Sequence, residues 1–584
     1  MSTLDFIDMK TDKNVSEIQA LAHTIMNAPE TKVVSLSELY ELSKEQGTVV
    51  ISDQKMPKFD ENLSEESNVL SNLTGEDSVV SDWFVRVVPS SEEAMTNPDS
   101  ADEREELLSI IRRKSYELIQ QPMIMHSVYL TDTPDFNLKI DVVVPEQFPK
   151  LLFDTAIHYY PIDDKSSKIY AKSHKFDVPS IKIVCDPDWE NEDWMYWKSK
   201  AHNETEDEPQ RLMMIYDVET NTAFLLGAKT FSEIDKAVKI LAWNTCVEAG
   251  NGDFLPVNGT IKTITITKTT KKSEPVSTTF LTVSAKDSER SFFGLNSHSN
   301  ETPAKGEDIS VSVGGNSGLV MLLSGQNKKK SIVNFGRNCF DTIDNVVERT
   351  KDAPQILSAE NLALITSNAA GKKELLLSPI LSPNAKIHTL MPQEENDFLM
   401  PDYLVLMVQD DSLPPVTMIK DADLITSTWF SYTTECDCCS DLKVMPAGNP
   451  DATWDVLSEI DLFNKALKKG KFKLILINTT PYSNGMKNII DDEIVLSIYM
   501  KIAKNEIEWK EWKAVAGYNL PDKGTFKNIK KDFDTIYDTA KFSNDSLYKD
   551  LIRDSIEMKI DYLRTIDAPV ALITPFYKIL AKLA

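Results

Sequence analysis

Apolar positions recur at helical spacing in several stretches of the chain. The clearest are 16–26, with Ile18, Leu21, Ala22 and Ile25 on one side, 101–121, with Leu107, Ile110, Ile111 and Leu118, and 231–249, with Ile234, Val238, Ile240 and Leu241. The spacing also predicts helices over 35–42, 340–350, 358–370 and 453–469, the last closed by Gly470 as a natural cap. The longest pattern runs over 543–566, through Leu547, Leu551, Ile552, Ile556, Ile560 and Leu563. Elsewhere the period shortens to two. Residues 260–267 alternate cleanly, as do 278–285 and 309–313, which predicts half-exposed antiparallel strands. Strands are also expected over 84–88, 126–130, 138–144, 181–185, 212–218 and 223–226, the last two joined by the turn signal Glu219-Thr-Asn-Thr. The continuous apolar runs at 403–409 and 472–477 read as fully buried strands, and 493–503 fits either a helix or a strand.

These elements mix without regular βαβ alternation, so the expected fold class is α+β: two mixed α/β domains with an antiparallel β region between them. Residues 1–80 read as a flexible N-terminal arm and acidic linker, since 52–80 are polar with little periodicity. The first domain is expected at 81–250, ending at the break Gly250-Asn-Gly-Asp. The second is expected at 251–566, opening with antiparallel strands over 258–315. A C-terminal segment, 567–584, is apolar where chain termini are usually polar, so it docks either on its own domain or on a neighbouring subunit.

Charge narrows the function classes. Lysine plus arginine number 63 against 90 acidic residues, a net charge of −27. Lysines cluster only briefly, at Lys328–Lys330, around Lys468–Lys473 and at Lys527–Lys531, so direct nucleic-acid binding is not expected. No run spans a bilayer, no secretory leader is evident, and six cysteines in 584 residues make no disulfide framework; a cytoplasmic protein without membrane contact is expected.

Motifs for chemistry are weak. Cys436-Asp-Cys-Cys439 lacks the second ligand pair that zinc needs and fits an ordinary loop or core better than a metal or redox site. Gly314-Gly-Asn-Ser-Gly318 and Gly227-Ala-Lys-Thr lack the full phosphate-loop spacing. The seven histidines form no metalloprotease pattern; His158 is either a general base or, better, a packed side chain. No catalytic, cofactor or metal residue is therefore assigned. The segment from Asp186 to Trp197 mixes acids with Trp189, Trp194, Tyr196 and Trp197, a composition suited either to core packing or to a ligand or partner-binding loop.

An arm over 1–60, domains near 80–250 and 255–566 and a docking segment over 569–584 together resemble the layout of the phage nuclear shell proteins, the chimallin family of nucleus-forming jumbo phages. The resemblance implies a one-protein-thick lattice closed by terminal segments that reach neighbouring subunits. It also implies a second domain with an acetyltransferase-like fold lacking the activity. The expected function is a non-enzymatic, self-assembling shell or lattice protein, viral, in host cytoplasm, with itself as main partner. Its subunit contacts are expected at Leu4, Phe6, Ile7, Ile18, Leu21 and Ile25 in the arm and at Ile573, Phe576, Tyr577, Ile579, Leu580 and Leu583 in the tail. The alternatives are a cytoplasmic hydrolase or transferase with dispersed site residues at the domain interface, and an adaptor using the 186–197 loop.

Overall fold

The computed structural model describes residues 16–72, 85–173, 175–176, 178–189, 212–268, 274–284, 292–298, 303–315, 318–324, 331–343, 345–346, 355–366, 371–378, 380–382, 385–390, 397–435, 442–447, 452–479, 482–483, 486–487, 490–522, 524–526 and 546–583. The fold is α+β, and the chain divides into two compact units. One comprises 1–250, 335–347 and 353–392; the other comprises 251–334, 348–352 and 393–584.

In the first unit, strands buried on both faces need cover on both faces. The main sheet has the order Thr31–Val33, Met123–Tyr129, Lys139–Pro145, Ile181–Asp186, Thr222–Leu226, Met213–Asp217, Val85–Val87. Val143, Val184, Met213, Ile215, Phe224 and Leu226 share one face and pack on Ile18, Ala22 and Ile25 of helix Glu17–Met26 and on Leu107, Leu108 and Ile111 of helix Pro98–Leu118. The alternate residues Val142, Val144, Ile183, Ala223 and Leu225 are equally buried and point the other way, toward helices Pro149–His158 and Phe231–Asn244. Asn221, with φ of 50°, makes the tight turn between the Met213–Asp217 and Thr222–Leu226 strands.

A second sheet of this unit runs Cys339–Thr342, Lys386–Thr389, Ile356–Glu360, Asn68–Asn72, Val49–Lys55. It corrects several expectations. The helices expected over 16–26 and 35–42 form as Glu17–Met26 and Leu36–Glu45, but they pack into the unit instead of forming a loose arm. Part of the presumed acidic linker is strand, because Ser71 and its neighbours pair in parallel with Ser358–Glu360, far along the chain. The helix expected over 358–370 is replaced by strands Ile356–Glu360 and Leu364–Thr366, and the one expected over 340–350 gives way at its start to strand Cys339–Thr342, while Ile343, Asn345 and Val346 are helical. Ile356–Glu360 is buried throughout between two strands, and that pairing overrides its helix-like spacing. Residues 335–347 and 353–392 thus join the first unit and interrupt the second.

The second unit is built on the sheet Glu307–Gly314, Thr260–Lys268, Val276–Val283, Tyr403–Val408, Lys473–Asn478, Val416–Ile419, Tyr518–Pro521, Trp509–Glu511. The alternating 258–315 region is the antiparallel edge of this mixed sheet; its Val276–Val283 strand runs parallel to Tyr403–Val408. Ile264, Phe280, Val405, Met407, Ile475 and Ile477 face helix Asp492–Ala503, which settles the ambiguous 493–503 stretch as a helix. Helix Val456–Gly470 ends one residue later than expected, on Lys471 in the left-handed region (φ 53°). Among the described residues, no helix is long and apolar enough to cross a membrane.

The chain ends in helices Ser546–Thr565 and Val570–Leu583, which pack on each other; the latter also packs on helix Ala422–Trp429. Ile573, Phe576, Ile579 and Leu583 are buried within their own unit. They are core residues, which corrects their assignment as subunit contacts; Tyr577 is exposed and Leu580 half-buried. Phe576→Ala is expected to lower the stability of this unit by about 3–5 kcal/mol, whereas Lys578→Ala on the exposed side changes it by less than about 0.5 kcal/mol. Urea titration followed by tryptophan fluorescence checks this, and equal effects would mean that the tail does not pack on its own unit.

Candidate functional site

Helix Pro149–His158 is buried along its whole length, yet it carries Lys150, Asp154 and His158 at intervals of four. That spacing aligns the three side chains in one stripe. Lys150 Nζ lies 2.7 and 2.6 Å from the two Asp154 carboxylate oxygens and donates to Ser358 Oγ at 2.6 Å; Ser358 Oγ donates in turn to Asp154 Oδ1 at 2.6 Å. Ser358 and Glu360 sit on strand Ile356–Glu360, and His388 on its neighbour Lys386–Thr389. Glu360 accepts the backbone N–H of Phe231, at the start of helix Phe231–Asn244. Nearby, Tyr159 donates to Asp235 Oδ1 at 2.8 Å, and Lys239 pairs with Asp235 at 3.1 Å.

Burial dominates the electrostatics of this centre. It pushes the Asp154 carboxyl up, against the pull of Lys150. Burial, then the charge of Asp154, raises Glu360 to about 8. Burial lowers His158 to about 4 despite Asp235, and burial with the neighbouring His158 and Lys150 holds His388 well below the usual imidazole range. Both imidazoles are therefore neutral at pH 7. His388 lies against Phe340, with ring centroids 4.4 Å apart, and its Nδ1 is 4.0 Å from Asp154 Oδ1.

Lys150 and Ser358 have the separation of a base and a hydroxyl nucleophile. Both are fully buried, however, and Lys150 is engaged by a carboxylate. The arrangement joins a helix to a sheet rather than meeting a substrate.

The second unit contains two further centres. Asp410 Oδ2 accepts from Lys559 Nζ at 2.9 Å and from the hydroxyls of Ser555 and Thr433, and Oδ1 accepts from Ser412. Burial pushes this carboxyl up, but Lys559 and the Ser412 and Thr433 hydroxyls outweigh it and hold it at about 2. Lys262, fully buried on strand Thr260–Lys268, donates to Phe293 O at 2.6 Å and lies 2.9 Å from His298 Nε2, with the Tyr499 ring 4.5 Å away. Burial lowers its amine well below the usual lysine value, and burial plus Lys262 lowers His298 to about 2. Among the described residues, no group of three or more His, Cys, Asp or Glu side chains is placed to hold a metal ion.

The structure does not gather the residues singled out by sequence into one site. Ile18 and Ile25 are buried in the first unit's core and Leu21 packs against it, so these three are not free arm contacts; Leu4, Phe6 and Ile7 lie outside the described residues. Trp189 is a core residue of the same cluster; Trp194, Tyr196 and Trp197 lie outside the described residues, as do Cys436, Cys438 and Cys439. Gly315, with φ of 97°, follows the Glu307–Gly314 strand directly; its Cβ would lie 2.7 Å from Gly259 O, so a close backbone approach accounts for glycine there. The Lys150–Asp154–His158 stripe was missed. Its signal was three ionisable side chains at i, i+4 and i+8 on a helix otherwise rich in Leu, Phe and Ile.

No protein-family model matches the chain, and no curated protein matches it.

Removing one partner of a buried pair leaves an uncompensated charge. Asp154→Asn is therefore expected to destabilise the first unit by about 3–5 kcal/mol, and the double change Lys150→Met with Asp154→Leu by clearly less. Urea midpoints of the three proteins test this; a double variant as unstable as the single one would overturn it. Glu360 adds a pH signature. Between pH 4.5 and about 8 the unfolded chain releases this proton while the folded unit keeps it, so stability falls as pH rises through that window. His158 acts on the acid side: from pH 6.5 down to about 4 the unfolded chain takes up a proton that the folded unit refuses, so stability falls as pH drops. Glu360→Gln is expected to flatten the alkaline slope and leave the acid slope in place, as read from urea unfolding between pH 5 and 9.

Proposed function

We propose that this chain is a non-enzymatic structural protein that assembles with further copies of itself. One observation carries the reading: an apolar tip held out on an ordered turn of the first unit. Ile380 is 90% exposed and Leu381 66% exposed. The turn beneath them is fixed, since the backbone N–H groups of Leu381 and Ser382 donate to Ser378 O at 3.2 and 3.0 Å, and Ser382 Oγ accepts the N–H of Ala363 at 3.2 Å. Ile365, on the adjoining hairpin of Leu364–Thr366 with Lys373–Leu375, is exposed as well. Large apolar side chains presented together mark interaction surfaces. They stand out further on a chain whose net charge of −27 keeps most of its surface hydrated. A shell or lattice of like subunits is the assembly that such a contact would serve.

The double variant Ile380→Asp with Leu381→Asp leaves the buried core untouched, so the fold should survive. It is expected to convert high-mass species into the 65.8 kDa monomer in size-exclusion chromatography with light scattering. High-mass species unchanged by the substitutions would show that the tip is not the contact. An unsubstituted chain that stays monomeric at every concentration and salt would overturn the self-assembly reading.

A further inference from the structure

A strand that buries one face shows apolar side chains at every second position. In Thr260–Lys268 the core-facing row is Thr260, Lys262, Ile264 and Ile266, and the two isoleucines join the core that includes helix Asp492–Ala503. Lys262 thus occupies a core position, with Phe280 opposite it on one neighbouring strand and Val313 on the other. It is fully buried, and among the described residues no carboxylate pairs with it. Its polar partners come from residues 292–298 instead. Nζ donates to Phe293 O at 2.6 Å and lies 2.9 Å from His298 Nε2. Phe293 packs in the same core, and Leu295 is buried. Gly294 sits so close to the strand that a Cβ there would fall 1.6 Å from Thr260 Oγ1. Residues 292–298 are therefore seated directly on Thr260 and Lys262.

We infer that residues 292–298 form a strap that closes over an uncharged Lys262 and is released when this amine takes up a proton. An uncharged amine has two N–H groups, and the closed strap offers two acceptors, Phe293 O and His298 Nε2. An ammonium has a third N–H and a charge. For these the site supplies the face of the Tyr499 ring, 4.5 Å from Nζ. A ring face repays only part of the cost of burying an ammonium without a carboxylate. The ionisable groups that face Lys262 are His298 from the strap and Tyr499 from helix Asp492–Ala503; the strands on either side bring Phe280 and Val313. Neither ionisable group supplies an anion. His298 is a base held at about 2 by burial and by Lys262. The Tyr499 hydroxyl lies 2.8 Å from Thr282 Oγ1, and burial raises it, so it stays neutral. Burial lowers the Lys262 amine well below its usual value, in line with this geometry. In the released strap the amine meets water and returns to about 10.4. Between that value and the lower one of the closed state, release takes up one proton, so it becomes easier as pH falls. Below about 6.5 the freed His298 takes up a second proton. Release also brings Phe293 and Leu295 out of the core.

The strap lies within the second unit and works inside one chain, so it stands or falls separately from self-assembly. Hydrogen exchange of the full chain tests it, read by mass spectrometry on peptides covering 292–298 and corrected for the intrinsic rate at each pH. Between pH 7 and 9 the protection of the strap is expected to rise about tenfold per pH unit, because closure releases one proton. The strap should exchange faster than helix Asp492–Ala503 throughout. Lys262→Met keeps an unbranched side chain at the core position and is expected to abolish the slope. His298→Gln should keep the slope over this range and lose the extra steepening below about pH 6.5. Should Lys262→Met fail to fold, the slopes of the unsubstituted chain and of His298→Gln decide. Strap protection that is level from pH 7 to 9 in the unsubstituted chain would overturn the inference. So would a slope that survives in Lys262→Met, or a single common exchange rate for strap and helix.

Discussion

The buried ion pair of Lys150 and Asp154, closed by the hydroxyl of Ser358, is the constraint on which the first unit depends. Lysine and aspartate are almost never fully buried unless paired. Here their partner hydroxyl comes from a strand about two hundred residues further along the chain. The helix can sink completely into the interior only if that strand is present, and the strand gains its own cover from the helix. Ser358–Glu360 in turn pairs with Leu70–Asn72, which draws the N-terminal residues into the same sheet. The discontinuity of the unit follows from this. A segment that supplies the counter-groups for a buried charge belongs physically to the unit that contains the charge.

The second unit uses the same device in another form. Asp410 follows the end of strand Tyr403–Val408, and Lys559 reaches it from helix Ser546–Thr565, near the end of the chain. Tyr548, from the same helix, donates to Ser412 O at 2.8 Å. Hydroxyls from three other residues complete the carboxylate's shell, which is why it stays ionised in spite of burial. This polar anchor fixes where the penultimate helix lies, and the apolar stripe of Ile573, Phe576 and Ile579 then has a defined surface to close on.

Local pattern was readable where local forces decide. The helices at Glu17–Met26, Pro98–Leu118, Phe231–Asn244 and Ser546–Thr565, and the alternating Thr260–Lys268 strand, stand close to where periodicity puts them. Ile356–Glu360 was not readable, because its state is set by two strands distant in sequence. The tail was apolar for a reason the sequence leaves open, since a stripe that buries on its own unit and one that buries on another look alike. The charged stripe on Pro149–His158 was visible as spacing, but its role needed the partner strand. The strand Glu307–Gly314 was legible as alternation; its place at the end of the sheet order was not.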